Sequence, residues 1–346
     1  MSAILNIASK IYGRVLDTRN VLYDYAFFRS YKVDVPVISV GNITLGGTGK
    51  TPLVAYVARL LAEAGERPAV VSRGYGRERE NELVVVSDGE RIIEEPSVTG
   101  DEPLELALDL KGSASVVCDA NRVRGAVYAV EKLGASVIVL DDAFQHRRIR
   151  RDLDIVVIDA TAPFGGGRTV PGGRLRENLH NLSRAGAVVI TRPDGAENLE
   201  EIKSEVHSLN ENAPVFVCLS SIDRIERIGA GTDPEEPDAR TKFFVLCAIG
   251  NPKSLLDQLE REGVAVAGSR FFPDHHAYSQ KGLADVETEA RAAGADALLV
   301  TGKDAVKLLN SHFELACFKV KSRLVIDNET AFHNLVRLAA APEEQS

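Results

Sequence analysis

The run 37–54, VISVGNITLGGTGKTPLV, constrains the fold of this chain more than any other segment. An apolar stretch ends in a glycine-rich turn, and Lys50–Thr51 then opens a helix. Backbone N–H groups of such a turn point inward and bind phosphate oxygens, with the helix N-terminus adding a favourable field. Gly46, Gly47 and Gly49 permit the backbone angles and the close approach. The whole run Thr44, Leu45, Gly46, Gly47, Thr48, Gly49, Lys50 and Thr51 is the expected nucleotide loop. Lys50 is placed to reach the β- and γ-phosphates, and Thr51 to ligate Mg²⁺. The usual pattern begins with glycine, whereas Thr44 stands there. Pro52 just inside the helix fits its start.

A loop of this kind belongs to an α/β protein, and the rest of the chain agrees. From Val33 onward, continuous apolar strands such as VIVLDD and DIVVIDA alternate with helical segments such as RVRGAVYAVEKLG. That alternation indicates a mostly parallel sheet covered on both faces by helices. With 346 residues, two domains are expected. Four segments divide the chain: an N-terminal amphipathic helix in 1–32, a P-loop NTPase-like core in 33–220, a charged and turn-rich linker or β-hairpin arm in 221–242, and a smaller α/β unit in 243–346. Cys118, Cys218, Cys247 and Cys317 each lie inside an apolar run and form no CxxC pair. They read as buried strand thiols rather than a zinc or redox site.

Charge narrows the class of partner. Lys and Arg number 41 against 50 Asp and Glu, a net of −9, so a general nucleic-acid coater is not expected. The head departs from this balance: five basic residues (Lys10, Arg14, Arg19, Arg29, Lys32) face two acids (Asp17, Asp24) in residues 1–32. Its periodicity predicts a helix from about Ile4 to Phe28. Ile4, Ala8, Ile11, Val15, Leu22 and Tyr25 fall on one side, while Asn6, Lys10, Asp17 and Asp24 lie opposite. Charges interrupt the helix too often for a membrane span. A wide apolar face with a basic bias suits a helix lying in a membrane interface, or one docked on its own domain or on a second copy.

A nucleoside triphosphate site needs an acid for its metal. Asp141 and Asp142 end the strand VIVLDD, and Asp159 ends DIVVIDA. The adjacent pair is preferred, because two buried-strand acids side by side are costly without a cation. Guanine-specific enzymes place N-K-x-D after a late strand; TRPD (191–194) and TGKD (301–304) lack the Asn, so ATP is the expected nucleotide.

The motifs SVGNITLGGTGKTP, SRGYGR (72–77), GDEP (100–103), DANRVRG (119–125), LDDAFQHRRIRRDLDI (140–155), PGGRLRE (171–177), FPDHHAYS (272–279) and TGKDAVKL (301–308) occur in one order. In that order the chain resembles the tetraacyldisaccharide 4′-kinases, the lipid A 4′-kinases of Gram-negative bacteria. The resemblance spans roughly Val33 to Leu308, and the head helix also matches. It departs at Thr44, at Ala143 where Gly is usual, and at Gly302 where an acid is usual. The family implies transfer of the ATP γ-phosphate to the 4′-hydroxyl of tetraacyldisaccharide 1-phosphate at the cytoplasmic face of the inner membrane.

Sequence alone leaves Asp101 as either a helix cap or a base. The resemblance implies that Asp101 is the catalytic base, paired with His275 from the second domain; His276 beside it reads as a structural, satisfied polar residue. It likewise implies that Glu177 is a metal-site acid beside Thr51, Asp141 and Asp142. Glu102 is a further acid near the base. Arg73, Tyr75, Arg77, Arg122, His146 and Arg176 complete the expected substrate contacts. The competing classes are a P-loop ATPase or GTPase switch or maturation chaperone, and a nucleotide-binding scaffold without turnover.

Overall fold

The structure, a computed structural model, describes residues 2–93, 95–228, 236–273 and 276–341. The first half contains α1 (Ser2–Asp24), β1 (Val37–Asn42), α2 (Lys50–Glu63), β2 (Pro68–Ser72), β3 (Val84–Ser87), α3 (Pro96–Thr99), α4 (Asp101–Asp109) and β4 (Ser115–Cys118). It continues through α5 (Arg122–Leu133), β5 (Val137–Asp141), β6 (Leu153–Asp159), β7 (Ala187–Thr191), α6 (Leu199–Leu209) and β8 (Val215–Arg227). The remainder is β9 (Phe243–Cys247), α7 (Pro252–Arg261), β10 (Val266–Phe271), α8 (Gln280–Ala292), β11 (Ala297–Val300), α9 (Gly302–Leu308), β12 (Ala316–Ile326) and α10 (Glu329–Ala340).

The twelve strands of the described residues form one sheet in the order β10-β9-β11-β12-β8-β7-β6-β1-β5-β2-β4-β3. Its two lobes are mostly parallel, as the continuous apolar strands predict. β1 sits between β5 and β6, parallel to both, and every one of its residues is buried. Clusters around Leu53, Val57 and Leu61 on one face, and around Ile138, Leu140 and Ile149 on the other, bury the first lobe. A separate core around Phe244, Leu246, Val286 and Leu298 holds the second. The four cysteines are buried and free, as expected.

The expected arm is not a local hairpin. β8 runs straight from the first lobe through residue 227, and its antiparallel partner is β12, with Cys218 opposite Ile326 and Arg227 opposite Phe318. Residues 229–235 lie outside the described residues. CFKV and RLVID are therefore one strand with a register shift at Lys321/Ser322. α10 returns to the first lobe, where Phe332 and Val336 join its core and Phe332 packs edge-on to Phe216.

The head helix ends at Asp24, four residues short of the expected Phe28, and Ala26 follows in the left-handed region (φ 57°). Its amphipathicity is inverted relative to a docked helix. Ser9, Gly13 and Asn20, small or polar, are the buried residues, whereas Ile4 (73 % exposed), Ile11, Val15 and Phe27 (79 %) face outward. Ser9 and Asn20 are held by hydrogen bonds instead of apolar packing: Ser9 Oγ accepts from Gly172 N–H at 2.7 Å, and Asn20 donates to Asn181 at 2.8 Å. Among the described residues no helix is long and apolar enough to cross a membrane.

Candidate active site

A cleft of about 1760 Å³ opens between the two lobes. The phosphate loop forms one wall. Left-handed backbone falls on Gly46 (φ 115°) and Gly49 (φ 82°), the latter capping α2. A side chain at Gly46 would strike the Arg174 guanidinium. Gly47 needs no such angle, and its Cα and N–H face Gly250 of the second lobe. Thr44, in place of the usual glycine, is not in the left-handed region, so the departure costs nothing. The loop is braced by Asn42, whose amide donates to Thr48 Oγ1 at 3.0 Å, and by Thr191, whose hydroxyl donates to the Thr48 carbonyl at 2.8 Å.

The two acids at the end of β5 divide the work. Asp142, strained at φ 50°, accepts two bonds from Arg176 at 2.7 and 2.8 Å and lies 3.7 Å from Lys50. The strained residue of this turn is thus Asp142, and Ala143 sits without penalty where Gly is usual. Asp141 accepts from Ser72 at 2.8 Å, but its Oδ1 is buried without a hydrogen-bond partner. Burial, with Glu102 and Asp142 nearby, pushes its carboxyl up to about 6. An orphaned carboxylate oxygen beside a phosphate loop fits a hard cation. Asp159 instead pairs with Arg192 and accepts from the Thr161 hydroxyl at 2.7 Å. Among the described residues no group of three or more acids, histidines or cysteines forms a metal cage. An Mg²⁺ bound through one or two carboxylates plus phosphate oxygens needs none.

Most of the expected substrate residues line the cleft: Arg73, Tyr75, Glu102, Arg122, His146 and Arg176. Burial and the cations Arg122, Arg151, Arg148 and Arg19 hold His146 down to about 4, so its imidazole is neutral, with Nε2 buried and unpartnered. Two residues depart from expectation. Glu177 does not line the cleft. It is fully buried and accepts from Arg184 (3.0 Å), Gln145 (2.9 Å) and Asn20 (3.1 Å), which neutralise and saturate it. It ties α1 to the turn after Asp142 and is not placed as a metal ligand. Arg77 is also buried, donating to the carbonyls of Glu80 and Glu82, and so pins its own loop rather than meeting a substrate.

Asp101 is the first residue of α4; Gly100 (φ 84°) takes the cap position, so Asp101 is not the N-cap. Its side chain is 17 % exposed, and its Oδ2 lies 3.8 Å from Lys307 of the second lobe. Next to it, Glu102 accepts from Lys303 at 3.0 Å. His275 lies outside the described residues. His276 stacks on Phe272 with ring centroids 4.3 Å apart. Sequence reading overlooked Glu105, which shares the cleft wall with Gly302. Desolvation and the neighbouring Glu102 push its carboxyl up to about 8. A Cβ at Gly302 would sit 2.5 Å from Glu105 Oε1, so the acid usual at that position would meet another carboxyl here. It also overlooked Arg19, which reaches the cleft from α1 and donates to the Gln145 carbonyl at 3.0 Å. Arg19 counted in the sequence only as one more basic residue of the head.

The comparisons with known proteins agree with one another. The family model described as tetraacyldisaccharide-1-P 4′-kinase matches residues 1–340. The tetraacyldisaccharide 4′-kinase of Desulfotalea psychrophila is 38 % identical over 325 residues, covering 93 % of this chain and 92 % of the relative. That of Geobacter metallireducens is 39 % identical over 306 residues, covering 88 % of each. Among solved structures, LpxK from Aquifex aeolicus in complex with ATP superposes with a TM-score of 0.79 at 29 % identity, covering 98 % of this chain and 99 % of that one.

Proposed function

The chain belongs to the tetraacyldisaccharide-1-phosphate 4′-kinase family, and from that premise we propose how its residues carry out the reaction. The enzyme is an ATP-dependent kinase that phosphorylates the 4′-hydroxyl of tetraacyldisaccharide 1-phosphate. The switch and chaperone readings are set aside with the family membership. One arrangement carries the mechanistic reading: the phosphate loop, Asp141 with its unpartnered oxygen, and Glu102 of the first turn of α4 line the cleft where the two lobes meet, and Asp101, next to Glu102 in the chain, meets Lys307 of the second lobe.

ATP binds along the loop Thr44–Thr51, with Lys50 on its terminal phosphates. Mg²⁺ would be held by Asp141 and Thr51, where it neutralises phosphate charge; Asp142 keeps Lys50 and Arg176 in place. Asp101 takes the proton of the 4′-hydroxyl as that oxygen bonds to the γ-phosphorus and ADP departs. His275 is assigned to orient Asp101. Arg73, Tyr75, Arg122, His146, Arg176 and Glu102 hold the polar head of the acceptor, since guanidinium forks suit phosphate and sugar oxygens. Charge on the transferring group is spread over three oxygens, so positioning and electrostatics supply most of the rate.

The acceptor's acyl chains keep it in a bilayer, so the enzyme must work at a membrane surface. The outward apolar face of α1, with exposed Lys10, Arg14 and Arg29 beside it, supports attachment to the cytoplasmic face of the inner membrane. The direct test is incubation with γ-labelled ATP and the tetraacyl acceptor, followed by mapping of the new phosphate. Label on the 4′-oxygen is expected; release only as inorganic phosphate overturns the reading.

A further inference from the structure

The Lys307 side chain is 8 % exposed, and its ammonium lies where three segments meet. It is 3.2 Å from Asp304 Oδ1 on its own helix, donates to the His276 carbonyl at 3.2 Å, and is 3.8 Å from Asp101 Oδ2 on α4. One N–H goes to the His276 carbonyl, and the two carboxylates lie within ion-pair distance of the same ammonium. The Tyr278 ring faces it at 5.4 Å. Asp304 is itself immobilised: it is fully buried, and it accepts from Thr301 Oγ1 (2.7 Å), the Tyr278 hydroxyl (2.9 Å) and the Ala248 N–H (3.1 Å). The second lobe therefore fixes the ammonium from two sides, and its third direction meets the first lobe at Asp101.

We propose that Lys307 is a positioning residue for phosphoryl transfer, holding the Asp101 carboxylate in register only when the second lobe is seated on the first. The proposal rests on Asp101 being the base. Without the ammonium, Asp304 and Asp101 lose the cation they share across the lobes, and the Asp101 carboxylate is expected to be held less firmly in its working direction. One turn earlier, Lys303 makes the corresponding contact to Glu102 at 3.0 Å, so a single face of α9 engages both acids that open α4. The effect is geometric, acting through Asp101, and Lys307 itself is not asked to touch the substrate.

A double-mutant cycle on the full chain, with acceptor in mixed micelles, tests this. Lys307→Met is expected to lower kcat at least tenfold while the KM for ATP stays within twofold. In an Asp101→Asn background, the same substitution is expected to cost nothing further. Equal fold losses in both backgrounds, or an unchanged kcat for Lys307→Met, would overturn the proposal. Should Lys307→Met not fold, Lys307→Cys in a background with the four native cysteines replaced by Ala is alkylated with 2-bromoethylamine while unfolded and then refolded, which rebuilds the ammonium at this buried position. Recovery of kcat on alkylation supports the proposal, and no recovery in a folded, alkylated protein contradicts it. A fully active Asp101→Asn enzyme is a separate outcome that removes the base assignment, and the inference with it.

Discussion

At the scale of single residues, the acids in the cleft and behind its walls are paired unequally. Asp142, Asp159 and Glu177 each have a guanidinium, whereas Asp141 keeps one oxygen bare. That difference separates a candidate metal ligand from acids that hold the protein together, and no spacing rule in the sequence reveals it. Asp141 and Asp142 were legible as a pair because they end an apolar strand; which of them is committed to Arg176 was not. The partners of Glu177 were hidden for the same reason, since Gln145 and Asn20 reach it from distant parts of the chain and Arg184 folds back from seven residues on. Glu105 gives a test at this scale. Its carboxyl moves from an ordinary 4.5 to about 8 in the folded protein. The unfolded chain releases this proton near 4.5 while the folded one retains it, so stability falls as pH rises between those values. Glu105→Gln should remove that loss. In denaturant titrations the variant is expected to gain on the parent between pH 5 and 8, by roughly 1–2 kcal/mol at the alkaline end because cleft water screens part of the burial penalty. A constant difference across that range would contradict the assignment.

At the scale of elements, strand and helix positions followed from apolar runs and periodicity, because those are local properties. The partner of β8 did not, because β12 lies about ninety residues downstream and the intervening lobe must fold before the pair closes. The case of α1 shows the limit of periodicity more sharply. The helix and its apolar side were legible, but an interface helix and a docked helix share the same pattern. The buried set Ser9, Gly13 and Asn20 shows which side of the helix meets the protein, since a helix held by polar groups leaves its apolar side outside. Replacing Ile7, Ile11 and Phe27 together by Ser should therefore leave the melting temperature within about two degrees, as exposed positions contribute little. Binding to vesicles containing anionic lipid should drop at least tenfold, since each side chain withdrawn from a bilayer forfeits about 1–2 kcal/mol. Sedimentation with vesicles measures this; unchanged binding would show that the face serves something other than lipid.

At the scale of the molecule, one sheet crosses both lobes through β8 and β12, and the cleft lies where the lobes face each other. The first lobe supplies the phosphate loop and Asp101, while the second brings Gly250 against Gly47, Lys303 to Glu102 and Lys307 to Asp101. Closer contact is steric as well as ionic: a Cβ at Gly250 would lie 3.3 Å from the Gly47 nitrogen. Gly250→Val is accordingly expected to raise the KM for ATP several-fold without altering the melting temperature by more than a few degrees, as read from initial rates and thermal melts. The central claim is that Asp101 removes the proton of the acceptor hydroxyl within this cleft. Single-turnover transfer from ATP to the tetraacyl acceptor, at saturating concentrations of both, measures that step directly. Asp101→Asn is expected to slow it by about 10²–10⁴-fold with ATP affinity unchanged; transfer at the parent rate would contradict the claim.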